Sequence, residues 1–326
     1  MMRFRTKFLA LLLAALAMSD VATAADPDSL QARVTVTAMT YDDGFGVALR
    51  SPAGICSDPV AGEVFVADAG NGRVLIYDRQ LNCIYAFRHY VTEKETGRAV
   101  PGSPKGMAVN RDGEILIIDA LSDRLELLDF RGRVIDGFQP NRLIGDTSLR
   151  LKASCLAVDD FDNFYIVVTG DITRILVVDR DLRLVRQMGE KGNLPAQLNT
   201  PVAIAVHGGR IYVGDLYGIP AVKIFDTTGQ FLSGFAGHDI QRQDLTFPVG
   251  FSFLSDGSGG EFILVADGLR QAVKVYTPEG EPFTMIGGVG SLPGLVQYPS
   301  GLASDGLSSF YVVERVGGRV QRYEIK

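Results

Sequence analysis

An internal repeat constrains this chain more than any other feature. A Pro-x-Gly-apolar signature, in one copy with Ala for the Gly, begins at Pro52, Pro104, Pro201, Pro248 and Pro299, and a degenerate copy runs from Ala153 to Leu156. Successive copies are 52, 49, 48, 47 and 51 residues apart. Self-similarity at a fixed period marks a unit that cannot bury its own surface and must stack on its neighbours. About a dozen residues downstream of each signature lies a short apolar run. These runs are Val64–Asp68, Ile115–Asp119, Tyr165–Thr169, Ile211–Asp215, Ile263–Asp267 and Phe310–Glu314, and all but the third end in a carboxylate. A third run follows in every copy (Arg73–Asp78 in the first, Arg319–Glu324 in the last), and a fourth closes five of them, as at Cys83–Phe87.

The runs are short, rich in Val, Ile, Tyr and Phe, and punctuated by Gly, Asp and Asn, which makes them strands. The second run of each copy is apolar almost without alternation, so both of its faces are covered. A lone four-stranded sheet leaves one face open, whereas sheets stacked radially cover both. The expected fold is therefore an all-β, six-bladed β-propeller. The last copy ends at Lys326 after its third strand, and the alternating stretch Ala32–Met39 has no other copy to belong to. It is expected to serve as the outer strand of the last blade, closing the ring by hydrogen bonds between the chain's two ends and removing an open sheet edge.

Residues 1–24 read as an export leader: Arg3, Arg5 and Lys7, then an apolar core from Phe8 to Met18, then Ala22-Thr23-Ala24 as a small-residue cleavage site. That core is too short to span a bilayer, and no later segment approaches the necessary length. The expectation is a leader followed by one propeller domain over 25–326, exported to the periplasm or beyond the cell, monomeric and without a membrane span. With 32 Lys+Arg against 38 Asp+Glu, the net charge of −6 argues against a basic groove for nucleic acid. Cys56 and Cys83 fall on the inner and outer strands of one sheet, about 14 Å apart at the usual strand spacing, too far for a disulfide. Together with Cys155 they are expected to be buried free thiols.

The first copy carries Pro52, Gly54, Ile55, Val64–Asp68, Asn71, Arg73, Val74 and Tyr77. This resembles the NHL-repeat family, whose pattern runs Pro-x-Gly-Ile, a strand ending Val-Ala-Asp, then Asn-x-Arg-Val. The linker Gly189–Pro201 is also similar to that family, and the likeness extends in weaker form over roughly 32–326. It implies a propeller but does not fix a function. The third copy departs furthest, lacking the Pro and Gly and carrying Thr169 where the others are acidic.

Two classes of function are open on these residues. In the first, the chain is a non-catalytic scaffold of the cell envelope that binds a protein, peptide or glycan, alongside other secreted proteins, with no cofactor. Long loops on a rigid frame concentrate recognition residues, and the longest connections here are 88–103 and 139–152. Aromatic and Arg side chains carry most interface energy, which singles out Tyr90, Arg98, Arg142, Tyr217, Arg270 and Arg315. In the second, a metal-dependent lactonase, hydrolase or lyase works in the central channel. The acidic strand ends Asp68, Asp119, Asp215, Asp267 and Glu314 would surround the channel mouth and hold Ca²⁺ or another divalent ion through oxygen. Resemblance to lactonase-type propellers, which use a Glu, an Asn and an Asp, puts Glu314, Asp68 and Asp267 forward as ligands, with Asn71 and Asp171 as companions. The structural alternative is that each carboxylate binds the following turn and the Arg that starts the third strand (Arg73, Arg124, Arg174, Arg319). His89 and His238 lie on one face and His207 on the other, so the three histidines cannot converge on one ion, and a peptide-amidating lyase is excluded.

Overall fold

The computed structural model describes residues 34–58, 60–238, 244–255 and 261–325; the leader expected over 1–24 lies outside them. Six four-stranded antiparallel sheets form the blades of a propeller. Blade 1 consists of Gly54–Asp58, Glu63–Asp68, Arg73–Asp78 and Cys83–Arg88, ordered from the axis outwards. The inner strands of blades 2 to 6 are Pro104–Val109, Leu151–Val158, Pro201–His207, Pro248–Ser255 and Pro299–Ser304. Each inner strand packs on the next, and that of blade 6 packs on that of blade 1, so the ring is closed.

Closure rests on both ends of the chain. Val34–Thr40 pairs antiparallel with Arg319–Ile325 as the outer strand of blade 6, in a register running from Val34 opposite Ile325 to Thr40 opposite Val320. The segment after this strand is then clamped to blade 1. Arg73 reaches the Asp43 carboxylate at 2.7 Å and donates to the Val47 carbonyl at 2.9 Å.

The continuous apolarity of the second strands follows from this stacking. Alternate side chains of one strand point to opposite faces. Val64 and Val66 enter the core shared with blade 6, whereas Phe65 and Ala67 enter the core shared with blade 2. Each of the six apolar clusters draws on two neighbouring blades. The core is thus six wedges between sheets, and no blade is stable alone.

The Pro-x-Gly-apolar signature encodes the innermost turn of this packing. In blades 2 to 6 the residue after the Pro (Ala153 in blade 3) is an extra one on its strand, a β-bulge opposite an unbroken partner. The bulge re-aims that side chain towards the axis. The next position is small because the neighbouring blade crowds it. A Cβ on Gly54 would lie 2.6 Å from the Lys105 carbonyl oxygen, and one on Gly250 would lie 2.8 Å from the Leu302 amide nitrogen. The fourth position, Ile55, Met107, Leu156, Ile204, Phe251 and Leu302, borders the channel in every blade.

Two expectations need correction. The 88–103 connection is not a plain loop: Tyr90–Thr92 and Ala99–Pro101 pair as an extra hairpin, and 139–152 holds a short helix, Pro140–Ile144. The three cysteines are free but half-buried, not sealed. Cys56 and Cys155 are on inner strands and therefore border the channel, and Cys83 is on an outer strand. Burial pushes the Cys56 and Cys155 thiols up to about 12, so they are protonated near neutrality and unsuited to nucleophilic work.

Candidate functional site

The strand-end carboxylates do not face the channel. Asp68, Asp215, Asp267 and Glu314 are fully buried, Asp119 is almost so, and none borders either channel mouth. Each instead latches its blade to the segment that leads into its own inner strand. Asp68 accepts from the Arg50 amide at 2.7 Å, Asp119 from Ser103 at 2.7 Å and Glu314 from Gln297 at 2.7 Å. Asp215 accepts from Asn199 and Thr200, and Asp267 from Thr246 and Phe247. In every case the donors sit one or two residues before the Pro of the repeat. The blade-3 copy, whose strand ends in Thr169, makes the same latch two residues later: exposed Asp171 accepts from the Arg150 amide at 2.8 Å. Asp171 is thus the displaced sixth latch rather than a metal companion.

The cationic partners follow the expected Arg pattern only in part. Arg73 bonds Asp68 at 2.7 Å and Arg319 bonds Glu314 at 2.8 Å. Arg124 instead approaches Glu126, and Arg174 donates to the Thr173 carbonyl. In blades 4 and 5 a buried Lys two positions further along the third strand takes over, Lys223 at 3.1 Å from Asp215 and Lys274 at 3.4 Å from Asp267. Glu314 is further held by Gln321, and Asn71 is spent on Asp68 and the Ala48 carbonyl. A divalent ion needs several converging oxygen ligands with free lone pairs. Glu314, Asp68 and Asp267 sit in three different blades with their oxygens already bonded, and they do not fit a shared ion. No three His, Cys, Asp or Glu side chains among the described residues are placed to hold a metal.

Blade 2 substitutes a histidine for the cation. His89 is buried with Nε2 at 3.4 Å from Asp119. Burial depresses its pKa, and Asp119 offsets this only partly. His89 in the folded protein therefore takes up its proton below the ordinary imidazole value. As pH falls beneath about 6.5 the unfolded chain binds more protons than the folded one, and stability drops. The Tm of the native protein is expected to fall more steeply between about pH 7 and 5 than that of His89→Gln. Parallel Tm–pH curves for the two proteins would remove His89 from the acid response. The other histidines are apart from it: His238 bonds the Gly218 and Leu245 carbonyls, and His207 stacks on Phe253 beside Glu261.

All six expected recognition residues lie on the face that carries the blade connections and the loops between second and third strands. Tyr90 and Arg98 are on the extra hairpin beyond blade 1, and Arg142 is on the short helix before blade 3. Tyr217, Arg270 and Arg315 are on the loops of blades 4, 5 and 6. All are exposed, and Arg270 donates through Nε to the Thr246 hydroxyl at 3.1 Å. They are spread around the face, and Arg315 alone of the six borders the channel mouth.

The large apolar residues on this face other than Tyr217 had not been expected. The second residue past the latching carboxylate is large, apolar and exposed in four blades: Leu121, Tyr217, Leu269 and Val316, each at least 55% exposed. Ile219 and Tyr298 add to them. The signal in the sequence is this fixed offset, which becomes visible once the carboxylate is known to end its strand. Lys105 was hidden inside the repeat signature itself.

The channel has two mouths separated by the six fourth-position side chains, which border both. The mouth on the connection face is a cavity of about 390 Å³. The mouth on the opposite face, about 480 Å³, is lined by Asp58, Asp159, Asp160, Asp162 and Glu261 against Arg111 and His207.

This architecture, with its latched strand ends and open loop face, defines a six-bladed β-propeller that carries an NHL repeat. Residues 49–77, the loop entering blade 1 and its first three strands, match the family model of the NHL repeat. No curated protein matches the chain. Among the described residues no helix is long and apolar enough to cross a membrane.

Proposed function

We propose that this chain is an exported, non-catalytic propeller scaffold of the cell envelope that binds a protein, peptide or glycan partner on its connection face. The observation that carries this reading is the recurrence of a large exposed apolar residue at one loop position in four blades, Leu121, Tyr217, Leu269 and Val316. One large apolar residue held exposed at the same loop position of successive blades gives a rigid frame repeated anchor points for a partner. The exposed Arg98, Arg142, Arg270 and Arg315 on the same face supply the polar half of such an interface. The strand-end carboxylates that a channel metal would need are committed to holding blades together, which speaks against a metal-dependent reaction there. The scaffold acts as a monomer and requires no cofactor. The leader-like residues 1–24 support export, and the acidic net charge argues against nucleic acid.

The test is retention of partners from the organism's own envelope extract on three immobilised proteins. The native protein is expected to retain a partner that Leu121→Ser/Tyr217→Ser loses, while Val134→Ser/Ile135→Ser, altered on the outer strand of blade 2, keeps it. Equal retention by all three would place recognition elsewhere.

A further inference from the structure

We infer that the channel mouth on the connection face is a binding site for a small organic carboxylate with an apolar body, its anionic head between Lys105 and Arg315 and its body against the apolar wall of blades 4 and 5. The site goes beyond the partner-binding reading and does not depend on it.

The charge of this mouth is unlike that of the rest of the chain. Although the protein is acidic overall, the charged residues bordering this cavity among the described residues are Lys105 and Arg315, with no Asp or Glu. Both are exposed, and neither side chain has a hydrogen-bond or ion-pair partner among the described residues. Of the hydroxyls bordering the cavity, Ser300 donates to the Pro52 carbonyl at 2.9 Å and Ser154 to the Pro201 carbonyl at 3.2 Å, and the exposed Tyr298 adds a third. The charged groups able to receive a ligand are therefore two cations, with the Tyr298 hydroxyl as a neutral donor, and a carboxylate is the complementary head.

Topology places these cations on one side. Lys105 is the bulge residue of blade 2 and Arg315 follows the second strand of blade 6, so they flank blade 1. Blade 1 has Ala53 where blade 2 has Lys105 and Ala69 where blade 6 has Arg315, which leaves room for a head group. Opposite, Val202, Val249, Phe247 and Leu269 present an apolar wall. The floor is the ring of fourth-position side chains, from Ile55 to Leu302, five of them buried. A cavity of about 390 Å³ lies within the usual range for small-molecule sites, which runs from about 300 to 1,000 Å³. A floor made of packed Met, Leu, Ile and Phe suits the apolar end of a ligand and gives a polar chain nothing to bond. Cys155 in the wall stays a thiol, so the site binds without forming a bond to the ligand.

The opposite mouth provides an internal control. It shares the same apolar floor but has an excess of carboxylates at its rim. An apolar ligand drawn in by the floor alone would bind at either end whatever its charge. A ligand selected by Lys105 and Arg315 must be an anion.

Decanoate, decanol and decyltrimethylammonium each carry a ten-carbon chain, the carboxyl carbon counted in the first, with negative, neutral and positive heads. Titration calorimetry of the full protein at low salt is expected to give saturable one-to-one binding of decanoate, at least about tenfold tighter than decanol. Lys105→Met and Arg315→Met are each expected to weaken decanoate by about tenfold and leave decanol unchanged. Both positions are exposed, so unchanged Tm values for the variants show that the fold survives. Val202→Trp, which fills the cavity from the wall, is expected to abolish decanoate binding. The inference is overturned if decanoate does not saturate, if all three probes bind alike, or if the two Met variants bind decanoate as the native protein does. Loss of decanoate from Lys105→Met with the envelope partner retained separates this site from the partner surface.

Discussion

Deletion of Val34–Thr40 is expected to leave a chain that does not form a stable monomer. This strand is the outer edge of blade 6 and pairs along its length with Arg319–Ile325. Without it, those backbone groups form an open edge, a template for pairing with other chains. Val34 and Val36 also pack on the core between blades 5 and 6, and Ala38 packs on that between blades 6 and 1. The lost apolar burial and about five ladder bonds, at roughly 1 kcal/mol each, come to about 5 kcal/mol or more. Whole domains are stable by only about 5–15 kcal/mol, so the deletion removes most of the margin. The same deletion shortens the link to Asp43, whose bond to Arg73 ties the closing segment to blade 1. Burial pushes the Asp43 pKa up, but the Phe45 and Val47 amides and Arg73 together hold it below the usual carboxylate range, so this tie persists in mild acid and is lost only as pH falls through and below that range. Size-exclusion chromatography and thermal unfolding read the result. A synthetic peptide covering residues 34–48, added in trans, is expected to restore a cooperative transition. A soluble monomer of the deleted chain with an unchanged Tm would show that the ring does not need its latch.

The second large effect is expected at Arg319. Its side chain is only 2% exposed, and that of Glu314, 2.8 Å away, is fully buried. The same guanidinium donates to the Leu295 carbonyl at 2.7 Å and to Ser291, and it reaches the Tyr41 hydroxyl at 3.4 Å. It therefore binds together the blade 5–6 connection, the second strand of blade 6 and the chain's entry segment. Arg319→Met leaves Glu314 buried beside Gln321 without its counter-charge. Breaking a buried pair from one side costs about 3–5 kcal/mol, and at roughly 2–3 °C per kcal/mol for a chain of this size the Tm should fall by about 6–15 °C. Adding Glu314→Gln removes the stranded charge and is expected to recover part of the loss. If the double variant is no more stable than Arg319→Met, the cost lies in the carbonyl bonds and not in the charge.

How far the sequence could be read depended on whether a feature is local. A strand shows itself through a few neighbouring residues. A repeat period fixes how many such units stack, and a copy lacking one strand implies that the missing strand comes from elsewhere. The blade count, the strand order within blades and the role of the stretch after Arg33 were accordingly legible. The carboxylates were legible as a repeated feature but not in their direction. Whether Asp68 looks into the channel or under the preceding loop depends on where Arg50 returns after its neighbouring blade has packed. The substitution of Lys223, Lys274 and His89 for the expected Arg partners was hidden for the same reason, because each fills the space beside its carboxylate from a different sequence offset.

The sequence by itself determined that six small sheets must share their faces, because each second strand is apolar on both sides and no single sheet can cover it. Tertiary structure alone decided what borders the axis. In blades 2 to 6 the bulge beside the repeat signature turns one side chain inwards, and ring closure brings Lys105 and Arg315 to either side of blade 1. Residues so far apart along the chain meet only through the geometry of the closed ring, which no local pattern records.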